Sequence, residues 1–175
     1  LQSLDAGYHW QSEDGAYPYR GGGIRLPTLR EMLHRYPDTP LIVELKGGSG
    51  PRIANAMSHL IADTRRTDQI VVASFSASIL HRFRALRPRI PTNMAMTETA
   101  SFYARHWVGL QTVPAPPGQV FQVPHWYGPI RVVQRRFVEA AHACQMPVQV
   151  WTVNDRAEMA TLLACGVDAL ITDYP

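Results

Sequence analysis

The chain has 175 residues, 46% of them hydrophobic and 18% charged, with a formal net charge of +3. That is enough apolar material for one domain with a sizeable core, while scattered arginines on so mild a charge offer no stripe or patch for nucleic acid. Two cysteines, Cys144 and Cys165, are too few for a disulfide framework and read as buried thiols, and no stretch approaches the roughly 20 apolar residues of a membrane span.

Residues 1–26 read as loop, glycine-rich, with Tyr8, Trp10, Tyr17 and Tyr19 showing no period. They form either a flap over something or a surface loop packed by its own rings. No signal peptide is visible, and a start at Leu1 rather than Met leaves room for a targeting segment upstream. Thr28-Leu29-Arg30-Glu31 is a capping box, and the helix it opens turns Leu29, Met32 and Leu33 inward and stops before Pro37. Leu41 to Lys46 reads as a strand with Ile42, Glu44 and Lys46 on one face and Leu41, Val43 and Leu45 on the other. A run so apolar on both faces belongs to a covered parallel sheet. Glu44 is therefore expected to be buried, at a cost of several kcal/mol unless it is paired or coordinates a cation.

A helix over residues 51–65, a strand over 70–75 and a helix over 76–86 follow. A weaker strand near 90–96, a helix over 97–110 and a proline loop at 114–117 come next, then a strand over 119–124. Residues 130–144 read as a helix with Val133, Phe137 and Ala140 inward. The chain closes with a strand over 148–153, a helix over 156–165 with Gly166 placed as its C-cap, and a strand over 168–172.

Strict strand–helix alternation implies parallel strands with right-handed crossovers. A doubly wound open sheet and part of a (β/α)8 barrel both fit. Gly47-Gly48-Ser49-Gly50 is neither G-x-G-x-x-G nor a Walker loop, so the first lacks its fingerprint. The barrel is favoured by Gln149, which shares a strand face with Trp151. In a barrel the strand ends would bring one mouth together from Glu44 and Lys46, Ser74 and Phe75, Met94 and Met96, His125 and Trp126, Trp151 and Asn154, and Thr172 and Asp173. Of the 17 basic residues only Lys46 is a lysine. Where arginine serves everywhere else, a retained lysine beside a glutamate suggests a need for a compact point charge rather than a planar fork.

Together these segments resemble the glycerophosphodiester phosphodiesterase family. The resemblance is carried by Leu26-Pro27-Thr28-Leu29-Arg30-Glu31-Met32-Leu33, Val43-Glu44-Leu45-Lys46, Ser74-Phe75, Val150-Trp151-Thr152-Val153-Asn154, Gly166-Val167-Asp168 and Ile171-Thr172-Asp173-Tyr174-Pro175, in this order and spacing. It implies a (β/α)8 TIM barrel that hydrolyses glycerophosphodiesters to glycerol phosphate and an alcohol with a divalent metal, Mg2+ or Ca2+. It gives Glu44 the part of a metal ligand, Lys46 that of a catalytic charge near the substrate phosphate, and Trp151 that of a pocket wall. Phe75 and His125, at neighbouring strand ends, join Trp151 as candidate substrate-binding residues. The partner expected is a small-molecule glycerophosphodiester.

The family's N-terminal H-R-G, E-x-D and H-D motifs are absent. The expectation is one domain over 1–175, with a loop or insertion at 1–26 and barrel units three to eight over 27–175, so that about six of eight strand–helix units are present and the first two missing. Such a chain should be inactive alone and should self-associate through open sheet edges. Two other readings stay open: a non-catalytic relative that binds phosphodiesters or a partner, and an aldolase forming a Schiff base on Lys46.

Overall fold

The structure, a computed structural model, describes residues 3–47, 50–65, 67, 69–108 and 115–175. Five parallel strands lie in two sheets, β1 (Leu41–Glu44) with β2 (Ile70–Ala73), and β3 (Phe121–Pro124) with β6 (Val148–Trp151) and β7 (Ala169–Leu170). A small hairpin, β4 (Trp126–Tyr127) with β5 (Ile130–Arg131), stands after β3. The helices are α1 (Leu29–Arg35), α2 (Arg52–Thr64), α3 (Ala77–Leu86), α4 (Met96–Trp107), α5 (Arg135–Ala143) and α6 (Arg156–Cys165).

The pairing is parallel throughout these two sheets. β1 pairs with β2, β3 with β6, and β6 with β7. Between β2 and β3 lies the expected weak strand, reduced to two single parallel bridges, Val72 with Thr92 and Asn93 with Val120. The backbone bonds there are sound: Asn93 N–H donates to Val72 O at 3.2 Å and Met94 N–H to Val120 O at 2.9 Å. The proline at position 91 has no N–H to extend the ladder.

Alternation along the strands decides what is buried. Ile70, Val72, Phe121, Val123, Val148 and Val150 point to the helices and are buried. They join Ala54, Met57, Ile61, Ile79 and Phe83 in one cluster and Phe102, Phe137, Val138 and Leu162 in another. The opposite strand face is not covered in this way. On β1 it leaves Ile42 46% exposed and Glu44 open to solvent. The expectation of a buried Glu44 is thus corrected: helices cover one face of the sheet, and Glu44 stands on the other.

Local signals explain the ends. Thr28 and Glu31 bond reciprocally as the capping box requires, and Gly166 takes φ +94° at the end of α6, a left-handed cap that a side chain would strain. The helix expected over 130–144 begins only at Arg135. Gly128, at φ +56°, turns the chain so that Ile130–Arg131 pairs back on Trp126–Tyr127. Cys144 and Cys165 are free and half-buried rather than fully buried. The end of the helix expected at Leu110 and the loop at Pro114 lie outside the described residues. The N-terminal segment packs by its own rings: the backbones of Asp5 and Arg25 meet in a single antiparallel β-bridge, and the Arg20 guanidinium lies 3.7 Å over the Tyr17 ring and 4.6 Å over that of Tyr8.

Asp168 ties the start of β6 to α5. Its Oδ2 accepts the Val148 N–H at 2.7 Å and lies 2.9 Å from His142 Nε2. Burial acts to raise its pKa, but the Val148 amide and His142 together outweigh burial and hold it below its ordinary 3.8. A carboxyl lowered on folding adds stability above its unfolded pKa, and that stability is lost as pH falls through the lower folded value. Asp168→Asn is therefore expected to melt at a lower temperature than wild type at pH 7, with the gap closing as pH drops below about 4. Melting curves from pH 2 to 7 check this; a gap independent of pH would refute the linkage.

Candidate active site

The carboxyl ends of the parallel strands bring the candidate residues to one side of the sheet. Glu44 closes β1 and Lys46 follows two residues later on the same face. Lys46 Nζ lies 3.9 Å from Glu44 Oε2, with the side chains 81% and 38% exposed. A pair this open adds at most about 1 kcal/mol to stability. Lys46 is therefore not a counter-ion to a buried charge.

What places Lys46 is the residue before it. Leu45 is buried, and its N–H donates to Ala73 O at 2.7 Å. The Ser74 hydroxyl donates back to Leu45 O at 2.7 Å, and Ser74 N–H donates to Asn93 Oδ1 at 2.9 Å. Three successive strand ends are joined through two buried polar side chains, Ser74 and Asn93. Ser74 was visible in the Ser74-Phe75 motif. Asn93 was missed, and the signal for it was a polar residue inside an apolar strand pattern.

Phe75 follows Ser74 directly and meets Trp151 edge-on, with ring centroids 5.6 Å apart at 90°. Phe75 is 54% exposed and Trp151 half-buried. Pro124 of β3 is in register with Trp151. The last two motifs also meet: Asn154 Oδ1 accepts from the Thr172 hydroxyl and the Asp173 N–H, both at 3.0 Å, while Asn154 Nδ2 donates to Asp173 Oδ2 at 3.0 Å. The strand ends of β6 and β7 are thereby held beside each other.

His125 takes a different direction. Its side chain is only 12% exposed, and Nδ1 lies 2.5 Å from Glu158 Oε1 on α6. The imidazole is turned to the helix side rather than opened to the mouth. Glu158 was not singled out in the sequence; its N–H donates to the Asp155 N-cap carboxylate at 2.8 Å.

The donor set for a cation is short. Among the described residues no group of three or more His, Cys, Asp or Glu side chains could hold a metal. Glu44 supplies at most two oxygens, where Mg2+ or Ca2+ wants about six or more. The residues present do not by themselves make a metal centre.

The model of the glycerophosphoryl diester phosphodiesterase family matches residues 1–175. The chain belongs to that family. YhdW of Bacillus subtilis, provisionally named a glycerophosphodiester phosphodiesterase, is 30% identical over all of this chain and 67% of its own length. Among crystal structures, the phosphodiesterase domain of a Mycobacterium tuberculosis protein superposes with a TM-score of 0.78 at 16% identity, over 99% of this chain and 70% of that one. An Oleispira antarctica phosphodiesterase, solved with the product sn-glycerol-3-phosphate, gives 0.73 at 22% identity, over 100% of this chain and 66% of that one. The α/β fold of parallel strands is the one these phosphodiesterases share. The chain spans 60–67% of the length of the first curated relatives it matches.

Proposed function

We propose that this phosphodiesterase-family chain takes part in hydrolysing glycerophosphodiesters to glycerol 3-phosphate and an alcohol. The observation that carries the reading is the Lys46–Glu44 pair, open to solvent at the same strand ends as the Phe75–Trp151 corner. An exposed ammonium held by a buried backbone is free to take a phosphate oxygen and to stabilise charge developing there. Phe75 and Trp151 wall the substrate. Glu44 offers one carboxylate to a divalent cation, Mg2+ or Ca2+, whose other ligands lie outside these residues. In this reading the six parallel strand segments are units three to eight of a (β/α)8 barrel whose first two units precede Leu1.

Lys46 lies in the open beside a carboxylate, 81% exposed, rather than enclosed in the apolar pocket that activates a Schiff-base lysine. That favours the phosphodiesterase over the aldolase. The test compares this chain with the same chain extended by its upstream coding sequence, assayed for glycerol 3-phosphate release from glycerophosphocholine with Mg2+ or Ca2+. Metal-dependent release is expected from the extended protein only. Release by the 175-residue chain would overturn the incomplete barrel, and none from either would leave a binding protein instead of an enzyme.

Sheet edges provide a second check. Among the described residues β1 pairs only with β2 and β7 only with β6, and Ile42 is exposed on β1. Unpaired parallel edges template pairing between chains, so the 175-residue chain is expected to self-associate in light scattering. A monodisperse monomer with a cooperative melt would argue for a self-sufficient open sheet.

A further inference from the structure

We propose that His125 and Glu158 are a positioning pair that sets Trp126 as a second aromatic wall of the site, against the part of the substrate that projects beyond its phosphate; this rests on the phosphodiesterase reading.

The alternation along β3 gives the directions. Gln122 and Pro124 share a face with Gln149 and Trp151, their register partners on β6, and Gln122 Nε2 donates to Gln149 Oε1 at 2.8 Å. Phe121 and Val123 face the helices and are buried. One residue further, His125 again points to the helix side, where its Nδ1–H donates to Glu158. Trp126 opens the hairpin two residues beyond Pro124, the register partner of Trp151, and it is 52% exposed.

The hairpin that carries Trp126 is rooted on His125. The His125 carbonyl accepts the N–H groups of both Val132 at 3.0 Å and Val133 at 3.3 Å, the two residues that follow β5. Both arms of the hairpin therefore meet at one residue, and the ring of that residue is tied to α6. That helix begins five residues after Trp151, the aromatic already assigned to the wall. A bond from His125 to Glu158 consequently sets the position of Trp126 relative to Trp151. The pair is not a generic packing choice, because His125 Nε2 is buried with no partner among the described residues, and an apolar residue would fill the same space without that penalty.

The test uses the extended protein and the variants Glu158→Ala, Glu158→Gln, His125→Ala and Trp126→Ala, with glycerophosphocholine as substrate. Glutamine still accepts the Nδ1–H, so Glu158→Gln should behave as wild type. Glu158→Ala, His125→Ala and Trp126→Ala should each raise KM by about tenfold with kcat within about threefold. Glu158→Ala added to Trp126→Ala should cost nothing more, since the first acts through the second. An unchanged KM in Glu158→Ala, or full additivity with Trp126→Ala, would overturn the proposal and leave the pair a purely stabilising contact. Amide exchange at Val132 and Val133 separates the two readings: faster exchange in Glu158→Ala than in Glu158→Gln shows the tether whether or not the protein turns over. Tethering without turnover in wild type would sink the phosphodiesterase reading; turnover with protection unchanged in Glu158→Ala would sink the tether.

Discussion

Lys46→Arg, made in the extended protein at saturating metal, is expected to lower turnover by about a hundredfold and to leave stability within about 1 kcal/mol of wild type. Both halves come from the geometry of the β1 end. The Nζ atom is 3.9 Å from Glu44 and the side chain is 81% exposed, so little fold energy hangs on the pair. The position of the backbone is held elsewhere, by Leu45 in the core and by the Ser74 hydroxyl on its carbonyl. Arginine keeps the positive charge, but its planar fork is wider than an ammonium and approaches an oxygen from fixed directions. Beside a phosphate shared with the proposed cation, a point charge would fit where the fork would not. Lys46→Ala should lower turnover at least as far, again with little change in melting temperature, because Glu44 is already solvated. The measurement is turnover and melting temperature for wild type and both variants. Near-wild-type turnover in the arginine variant would remove Lys46 from the chemistry.

The largest effect on stability is expected from Arg84→Met, a loss of about 3–5 kcal/mol. Arg84 and Glu98 side chains are each 17% exposed, and the guanidinium donates to both Glu98 oxygens, at 2.7 and 3.1 Å. Its remaining bonds go to the Thr92 hydroxyl and the Asn93 carbonyl, both at 2.8 Å. Removing the guanidinium leaves a largely buried carboxylate unpaired, with only the Ala95 N–H still donating to it. The same bonds hold the weakest strand of the sheet, which has just two bridges of its own. Asn93 receives the Ser74 N–H, so loosening this segment should also slacken the link to Leu45 and Lys46. Urea unfolding of Arg84→Met and of the double variant Arg84→Met/Glu98→Leu checks the account. The double variant should recover part of the loss, since no charge is then stranded. A single variant within 1 kcal/mol of wild type would show that the network adds nothing.

Much of this molecule is legible in one dimension because its determinants are local. The capping box at Thr28 and Glu31, the left-handed cap at Gly166 and the alternation of Val148, Gln149, Val150 and Trp151 each depend on residues a few positions apart, and each stands where the pattern put it. Glu44 and Lys46 share a face for the same reason. Burial is not local. Whether Glu44 is enclosed or wet depends on what lies across the sheet, and an apolar run in β1 does not say that helices cover one face and not the other. The hairpin at Trp126 was hidden in a helical pattern, since Val133 and Phe137 keep a helix-like spacing although the helix begins between them. Above all, a partner 33 residues away has no signature: only the packing of α6 beside the end of β3 brings the Glu158 carboxylate to His125.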